Sequence, residues 1–376
     1  MKIAFLCGGL EPGKDGVGDY TRRLAKEFQQ NNHEVVVISL ADRHINKIAV
    51  GSQVIDGVEV STLRIPHSLE KKYQFKEAEK YLKIFDPDWI SFQYVPYSFD
   101  KRALPINLGK KLKKLRPFAK WSIMFHEIWQ GESIESTIKD KIIGYFQKRI
   151  TLGIISKLKP VFISTTNEYY KKCFSNLGIQ TDKIPVFSNI PAGSSSPGKI
   201  FMQLPKSVLD NKANYVIASF FGGFHAYTEL GQQLNQVAKT IEDKLGKKLM
   251  VTHIGKADKV KEVLDNITKT TNIETAVLGE WDEYDVADYL STIDLGLSTY
   301  PKILYEKSGS IAALLINGCP VILFKESFEQ DNRQITELKE WSENFDFKKF
   351  FDQDKSFSAL YGAKEAFEKY LKNFNQ

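Results

Sequence analysis

Residues 305–324 read YEKSGSIAALLINGCPVILF, with Lys307 directly before Ser308-Gly309-Ser310 at the mouth of an apolar helix. Amides at a helix N-terminus point outward and carry partial positive charge, so this arrangement suits an anion, and Lys307 would add a full charge. The alternative is a helix cap at Ser308 beside a solvated lysine. A second polar pair, His126-Glu127, follows the apolar run WSIMF, and Gln93-Tyr94 ends the run WISFQY. Histidine in such a place can bind a hydroxyl or shuttle a proton. Packing roles for His126, Gln93 and Tyr94 stay open. Two glycine-rich loops complete the set. CGGLEPGKDGVGDYTRRLA (7–25) carries Gly16 and Gly18 and leads into a helix expected from about Asp19, with Tyr20 on it. FFGGFHAYTEL (220–230) carries Gly222, Gly223 and His225 before another helix. The first loop is neither G-x-G-x-x-G nor a P-loop; it is a ligand loop or a plain connection.

Polar residues can act only where the fold delivers them. Short β-rich runs alternate with amphipathic segments: KIAFLC (2–7), EVVVISL (34–40), VEVSTL (58–63), WISFQYV (89–95), WSIMFH (121–126) and VFIST (161–165). Tyr20, Leu24 and Phe28 repeat at helical spacing between the first two. This order predicts a doubly wound parallel sheet. SNIPAGSSSPGKI (188–200) interrupts it as a linker or long loop. The alternation resumes with YVIASFFGG (215–223), LMVTHIG (249–255), ETAVLG (274–279), DLGLSTY (294–300) and CPVILF (319–324). The expectation is two Rossmann-like domains facing across a cleft, 1–190 and 191–355. A final helix within 356–376 places Leu360, Ala363, Phe367 and Leu371 on one side. Ligands of such folds bind beyond the carboxyl ends of strands.

At 376 residues, 42% hydrophobic and 26% charged, the chain exceeds one ordinary core and gives no reason to expect disorder. Cys7, Cys173 and Cys319 match neither a disulfide framework nor a zinc spacing, so a reducing, cytoplasmic setting and no metal are expected. Asp86-Pro87-Asp88 precedes a strand and reads as a turn at the far sheet edge. No apolar run is long enough to span a bilayer, and the start is too short for a signal peptide. The stretch 101–121 holds eight Lys/Arg and no acid, with Leu104, Leu108, Leu112 and Leu115 on one helical face and Lys110, Lys111 and Lys114 on another. It is either a solvated face or a docking surface for an anionic membrane or phosphorylated acceptor, which would place the chain peripherally at the inner face of the membrane. No aromatic-interleaved module suggests nucleic acid.

The order of these segments resembles retaining glycosyltransferases of the GT-B fold, in the large family four that includes sucrose- and mannosyl-transferring enzymes. The likeness runs from Met1 to at least Phe324 and rests on KIAFLCGG, GVGDYTRRLA, HEVVVIS, PDWISFQY, FHE, FSNIP, LGEWDEYDVADYLSTIDLGLSTYP and the KSGS…GCPVI tail. It implies metal-independent transfer of a hexose from a nucleoside diphosphate sugar, UDP- or GDP-linked, to a glycan, lipid-linked or small acceptor. It also implies that the final helix returns to the first domain. His126 and Lys307 become the catalytic candidates. Gly16, Gly18, Gly222, Gly223, His225, Glu280 and Lys307 to Ser310 would hold the donor; Asp19, Tyr20, Gln93, Tyr94 and Glu127 would meet the acceptor. The family's two glutamates are replaced by Tyr305 and Ala313, and its Arg and Lys after the first strand of the second domain are missing from GGFHAYTEL. A family subgroup has a basic residue before Ser-Gly-Ser, as here. Two further readings follow: a non-catalytic scaffold for a nucleotide or glycan, and a nucleotide-sugar epimerase or hydrolase.

Overall fold

The computed structural model describes residues 1–376 apart from 117, 133–135, 225–226, 228, 257–258, 325–334, 343–344, 352–354 and 376. It divides into two compact units, Met1–Asn189 with Ala363–Gln376, and Ile190–Gly362.

The first unit is built on an eight-stranded sheet among the described residues: β1 (Lys2–Cys7), β2 (Glu34–Asp42), β3 (Ala49–Ile55), β4 (Val58–Pro66), β5 (Trp89–Tyr94), β6 (Lys120–Phe125), β7 (Phe162–Thr165) and β8 (Asp182–Lys183). Its spatial order is β3-β4-β2-β1-β5-β6-β7-β8, parallel except for the β3-β4 hairpin. Strands with helices on both faces need continuous apolar runs, and Val35, Val36, Val37 and Ile38 are all buried. The helices are α1 (Gly16–Gln30), α2 (Lys71–Phe85), α3 (Pro96–Phe99), α4 (Leu108–Leu115), α5 (Ile138–Leu158) and α6 (Glu168–Ser175). Helix α1 begins three residues before the expected Asp19, because the Asp15 carboxylate caps it by accepting from Gly18 N at 2.8 Å. Leu104 lies outside α4, whose buried face is Leu108, Gly109, Leu112 and Leu115. Asp88 accepts from Lys2 N at 2.7 Å, which puts the Asp86-Pro87-Asp88 turn beside the amino-terminal end of β1.

The second unit carries β9 (Tyr215–Phe221), β10 (Lys248–Ile254), β11 (Glu274–Gly279), β12 (Leu295–Ser298), β13 (Val321–Leu323) and β14 (Leu338–Glu340). These are parallel and ordered β11-β10-β9-β12-β13-β14. Around them lie α7 (Lys206–Asp210), α8 (Leu230–Leu245), α9 (Val260–Thr270), α10 (Glu283–Thr292), α11 (Gly309–Ile316) and α12 (Phe347–Phe351). The segment expected to be a linker is anchored to this unit. Gly193 N donates to Asn317 Oδ1 and Ser194 N to Asp288 Oδ1, both at 2.8 Å.

The last helix, α13 (Ala363–Phe374), belongs to the first unit. It buries Ala366, Phe367, Tyr370 and Phe374, and the rings of Phe367 and Phe374 lie 4.8 and 5.6 Å from that of Phe28 on α1. Burial of each such ring stabilises by about 1.5–3 kcal/mol. The expected stripe is corrected at one end: Leu360 is exposed and precedes the helix, in the second unit.

Candidate functional site

In the first unit, β1, β5 and β6 are neighbours, so the Gly8-Gly9 turn, Gln93-Tyr94 and His126-Glu127 share one sheet edge. His126 is buried; its Nε2 lies 2.9 Å from Gln93 Oε1, and its backbone N–H donates to Tyr94 O at 3.1 Å. Gln93 Nε2 in turn donates to Ser91 Oγ at 2.9 Å and Tyr370 Oη at 3.3 Å. The Tyr20 ring meets His126 edge-on at 4.8 Å and stacks on Phe187 at 4.3 Å. The histidine is therefore oriented by a buried amide that α13 helps to hold. Burial and the adjacent Tyr370 hydroxyl push the Tyr20 phenol well above its ordinary value. Burial pushes Tyr370 up to about 12, against hydrogen bonds led by that to Gln93.

This placement changes the expected acceptor set. Tyr20, Gln93 and Tyr94 are each 1% exposed, so they stand behind the sheet edge and support it rather than line an open surface. Asp19 is ion-paired with Arg22 and accepts from Gly13 N at 3.1 Å, which ties the loop to its own helix. Glu127 remains partly exposed beside His126.

The glycine loop is tightly built. A β-carbon on Gly18 would lie 2.4 Å from Gly9 O, whereas one on Gly16 would meet nothing within 4 Å. Thus Gly18 serves packing, whereas Gly16, like Gly13 in the same loop, has open space before it. Asp42, fully buried, accepts from Leu10 N at 3.1 Å and from Arg64 Nε at 2.8 Å, while Arg64 also reaches Glu11 at 2.6 Å. Burial pushes the Asp42 carboxyl up, but the hydrogen bonds from Arg64 and the loop amides outweigh it and hold it below its ordinary value. Glu11 lies in the quoted loop 7–25, but Asp42 at the end of β2 and Arg64 in β4 belong to no quoted motif, and no spacing in the sequence joins the three.

In the second unit, three adjacent strands end in left-handed glycines: Gly222 after β9 at φ 71°, Gly255 after β10 at 102°, and Gly279 ending β11 at 77°. Gly222 N donates to Ile254 O at 2.9 Å and Gly255 N to Gly279 O at 2.8 Å, a backbone terrace along the carboxyl edge. Helix α11 starts against it, since a β-carbon on Gly222 would fall 2.7 Å from Ser310 Oγ. Ser308 caps α11 by accepting from Ile311 N at 3.3 Å. The N–H groups of Gly309 and Ser310 have no acceptor among the described residues, as first-turn amides lack partners within their helix. Partly buried Lys307 precedes them. Gly222 and the KSGS segment are therefore together, and the geometry is that of an anion cradle. Gly223 directly follows the Gly222 turn; His225 lies outside the described residues.

Glu280 is not brought there. It is exposed beyond edge strand β11, two strands from β9, or about 10 Å at ordinary strand spacing. Sequence reasoning also missed His253, which is buried with Nε2 2.9 Å from Gly222 O. Burial lowers its pKa, opposed by the Gly222 carbonyl, so the neutral ring donates to that carbonyl and steadies the turn. The signal was present in LMVTHIG, a histidine two residues before a strand-ending glycine. Among the described residues no group of three or more His, Cys, Asp or Glu side chains has the arrangement to hold a metal ion.

Two Rossmann-like parallel-sheet units of this kind constitute the GT-B fold. No family model and no curated protein matches the sequence. The fold is similar to that of Anabaena HepE in a crystal structure with UDP and glucose, at 14% identity and a TM-score of 0.60 over 100% of this chain and 99% of that one. It is also similar to the catalytic domain of starch synthase IV from Arabidopsis thaliana bound to ADP and acarbose, at 11% identity and a TM-score of 0.54 over 100% and 98%. A third likeness is the pneumococcal O-GlcNAc transferase GtfA with UDP and GlcNAc, at 11% identity and a TM-score of 0.53 over 100% and 98%.

Proposed function

We propose that the chain is a glycosyltransferase taking a hexose from a nucleoside diphosphate sugar, UDP- or GDP-linked, and passing it to a glycan, lipid-linked or small-molecule acceptor. The observation that carries this reading is the meeting of Gly222 with Ser310, which sets a helix N-terminus against the carboxyl edge of a parallel sheet. Diphosphate is a fitting ligand because amides of Gly309 and Ser310 and the charge of Lys307 would be oriented before the reaction begins. Such preorganised groups stabilise charge as it develops on a leaving phosphate. The structures with the same fold were crystallised with UDP or ADP, which supports a nucleotide at this edge.

On the first unit, His126 is assigned contact with the transferred sugar. Its Nε2 lies 2.9 Å from Gln93 Oε1, a contact that fixes the plane of the imidazole at the sheet edge. Retention of configuration is part of the proposal: the bond from the anomeric carbon to the diphosphate oxygen breaks as the acceptor oxygen attacks the same face, and the acceptor proton passes to the departing phosphate. Binding roles for Gly16, Gly223, His225 and Glu127 belong to the same proposal.

A second reading, a scaffold that binds a nucleotide without transfer, draws on Ala313. That position is fully buried within α11, so nothing there substitutes for the glutamate of the family pattern. Calorimetry with UDP, GDP, ADP and CMP, repeated on Lys307→Ala, is the test. One nucleoside diphosphate bound by the wild type and weakened at least about tenfold, roughly 1.4 kcal/mol, supports the donor site. Absence of binding to all four removes it. Binding without glycoside formation across acceptor classes moves the assignment to the scaffold, and free sugar or an epimer to the hydrolase or epimerase.

A further inference from the structure

Helix α5 is buried on one side and apolar on the opposite, exposed side. Its inner side, Gly144, Gln147, Thr151, Ile154 and Leu158, is buried. On the outer side Ile138, Ile142, Tyr145 and Phe146 are 80, 55, 60 and 53% exposed, and Arg149 continues the stripe. A surface helix ordinarily turns polar residues outward, so this face departs from what solvent alone would select. Nor can the helix roll to hide it. A β-carbon on Gly144 would lie 1.9 Å from Gln130 O and one on Gly109 of α4 only 2.8 Å from Ile154 Cα. Gln147 Oε1 also accepts from Gln130 N at 2.8 Å. The apolar stripe is locked outward.

Beside it a groove of about 300 Å³ runs between α4 and α5, floored by Ile106, Phe146, Ile150 and Ile154 and edged by Lys110, Arg149 and Lys157. Lys139 and Lys141 flank the stripe at its start and are exposed. Among the described residues, the nearby acids Asp140 and Glu132 have internal tasks: Asp140 closes the capping box with Thr137, and Glu132 pairs with Lys148 at 2.9 Å. The outward charge is therefore positive around an apolar centre containing Tyr and Phe.

We propose that this face lies on an anionic lipid bilayer, with Ile138, Ile142, Tyr145 and Phe146 entering the headgroup layer and the surrounding Lys and Arg meeting lipid phosphates. The charge decides for a bilayer: a protein partner would have to supply a contiguous acidic rim, whereas anionic headgroups supply one everywhere. Among the described residues no helix is long and apolar enough to cross a membrane, so the contact is a surface one. Its centre is α5, not the lysines of 101–121 alone; Leu108, Leu112 and Leu115 are buried under that stretch.

The test is cosedimentation of the whole chain with vesicles of phosphatidylcholine and with vesicles of an equimolar phosphatidylcholine–phosphatidylglycerol mixture, with sedimentation velocity run alongside. The wild type should partition at least about tenfold better onto the anionic vesicles, less so at high salt, and the double variant Ile142→Glu, Phe146→Glu should lose about tenfold or more. Should that variant misfold by circular dichroism, Ile142→Ser with Phe146→Ser serves the same purpose. Wild-type protein that ignores anionic vesicles, or variants that bind as well as the wild type, overturns the proposal. A wild-type dimer that the variant makes monomeric, with no vesicle binding, also overturns it and assigns the face to a second copy.

Discussion

Ser310 Oγ occupies the place a β-carbon of Gly222 would need, 2.7 Å away, so the turn after β9 and the first turn of α11 adopt this arrangement with a glycine at 222. Gly222 also holds φ at 71°, where other residues are strained. Gly222→Ala is expected to lower unfolding stability by about 1–2 kcal/mol in urea titrations. Nucleotide binding should weaken about fivefold as the loop shifts from the amides, and Ser310→Gly should restore part of both losses. An unchanged nucleotide affinity in Gly222→Ala would separate the turn from the ligand.

Gln93→Leu removes the oxygen that His126 Nε2 meets and the amide that reaches Tyr370. It should cost about 1–3 kcal/mol of stability. If His126 acts on the sugar, the turnover number falls about tenfold or more while nucleotide affinity stays within about twofold, since orientation of the imidazole toward the sugar is what is lost. Steady-state kinetics beside calorimetry checks both.

His253 gives a pH dependence. Its folded-state pKa lies below the ordinary 6.5, because burial disfavours the charged ring. As pH falls through about 6.5 the unfolded chain takes up this proton before the folded one does. Stability from this group is therefore complete above about 6.5 and declines below it, until the folded-state pKa is passed. His33 and His67 are shifted down as well and act in the same direction. The difference between wild type and His253→Gln isolates the one group: the variant should show a shallower loss of stability between neutrality and mild acid.

Arg64→Met leaves the fully buried Asp42 without its guanidinium. A buried charge stripped of its partner destabilises by about 3 kcal/mol or more. Asp42 then titrates higher, so the difference from wild type should shrink in acid, where the carboxyl takes a proton. Urea midpoints at neutral and acidic pH test this. Equal differences at both would exclude the charge as the cause.

The parallel strands were legible because burial on both faces leaves unbroken apolar runs, as in EVVVISL. Strand β3 was not. Val50 and Val54 on this antiparallel edge are 68 and 69% exposed, so burial left no such run there. β8 and β14, of two and three residues, are too short for any period to register. At the site, helix mouths and strand ends could be read locally, which put His126 and KSGS on the list. Contacts that join distant segments could not. Nothing in a linear pattern says that Ser310 touches Gly222, that Tyr370 reaches Gln93, or that Tyr94 turns into the core.

Placement of α13 has a consequence for synthesis. The first unit contains Met1–Asn189 but also Ala363–Gln376, and Tyr370 from that last helix is bonded to the amide that orients His126. The second unit is contiguous in the chain and can fold as soon as it emerges. The first, made earlier, must wait for the final helix with part of its core uncovered, on the order of ten to thirty seconds at ordinary elongation rates. A nascent chain is thus expected to complete its later half before its earlier one.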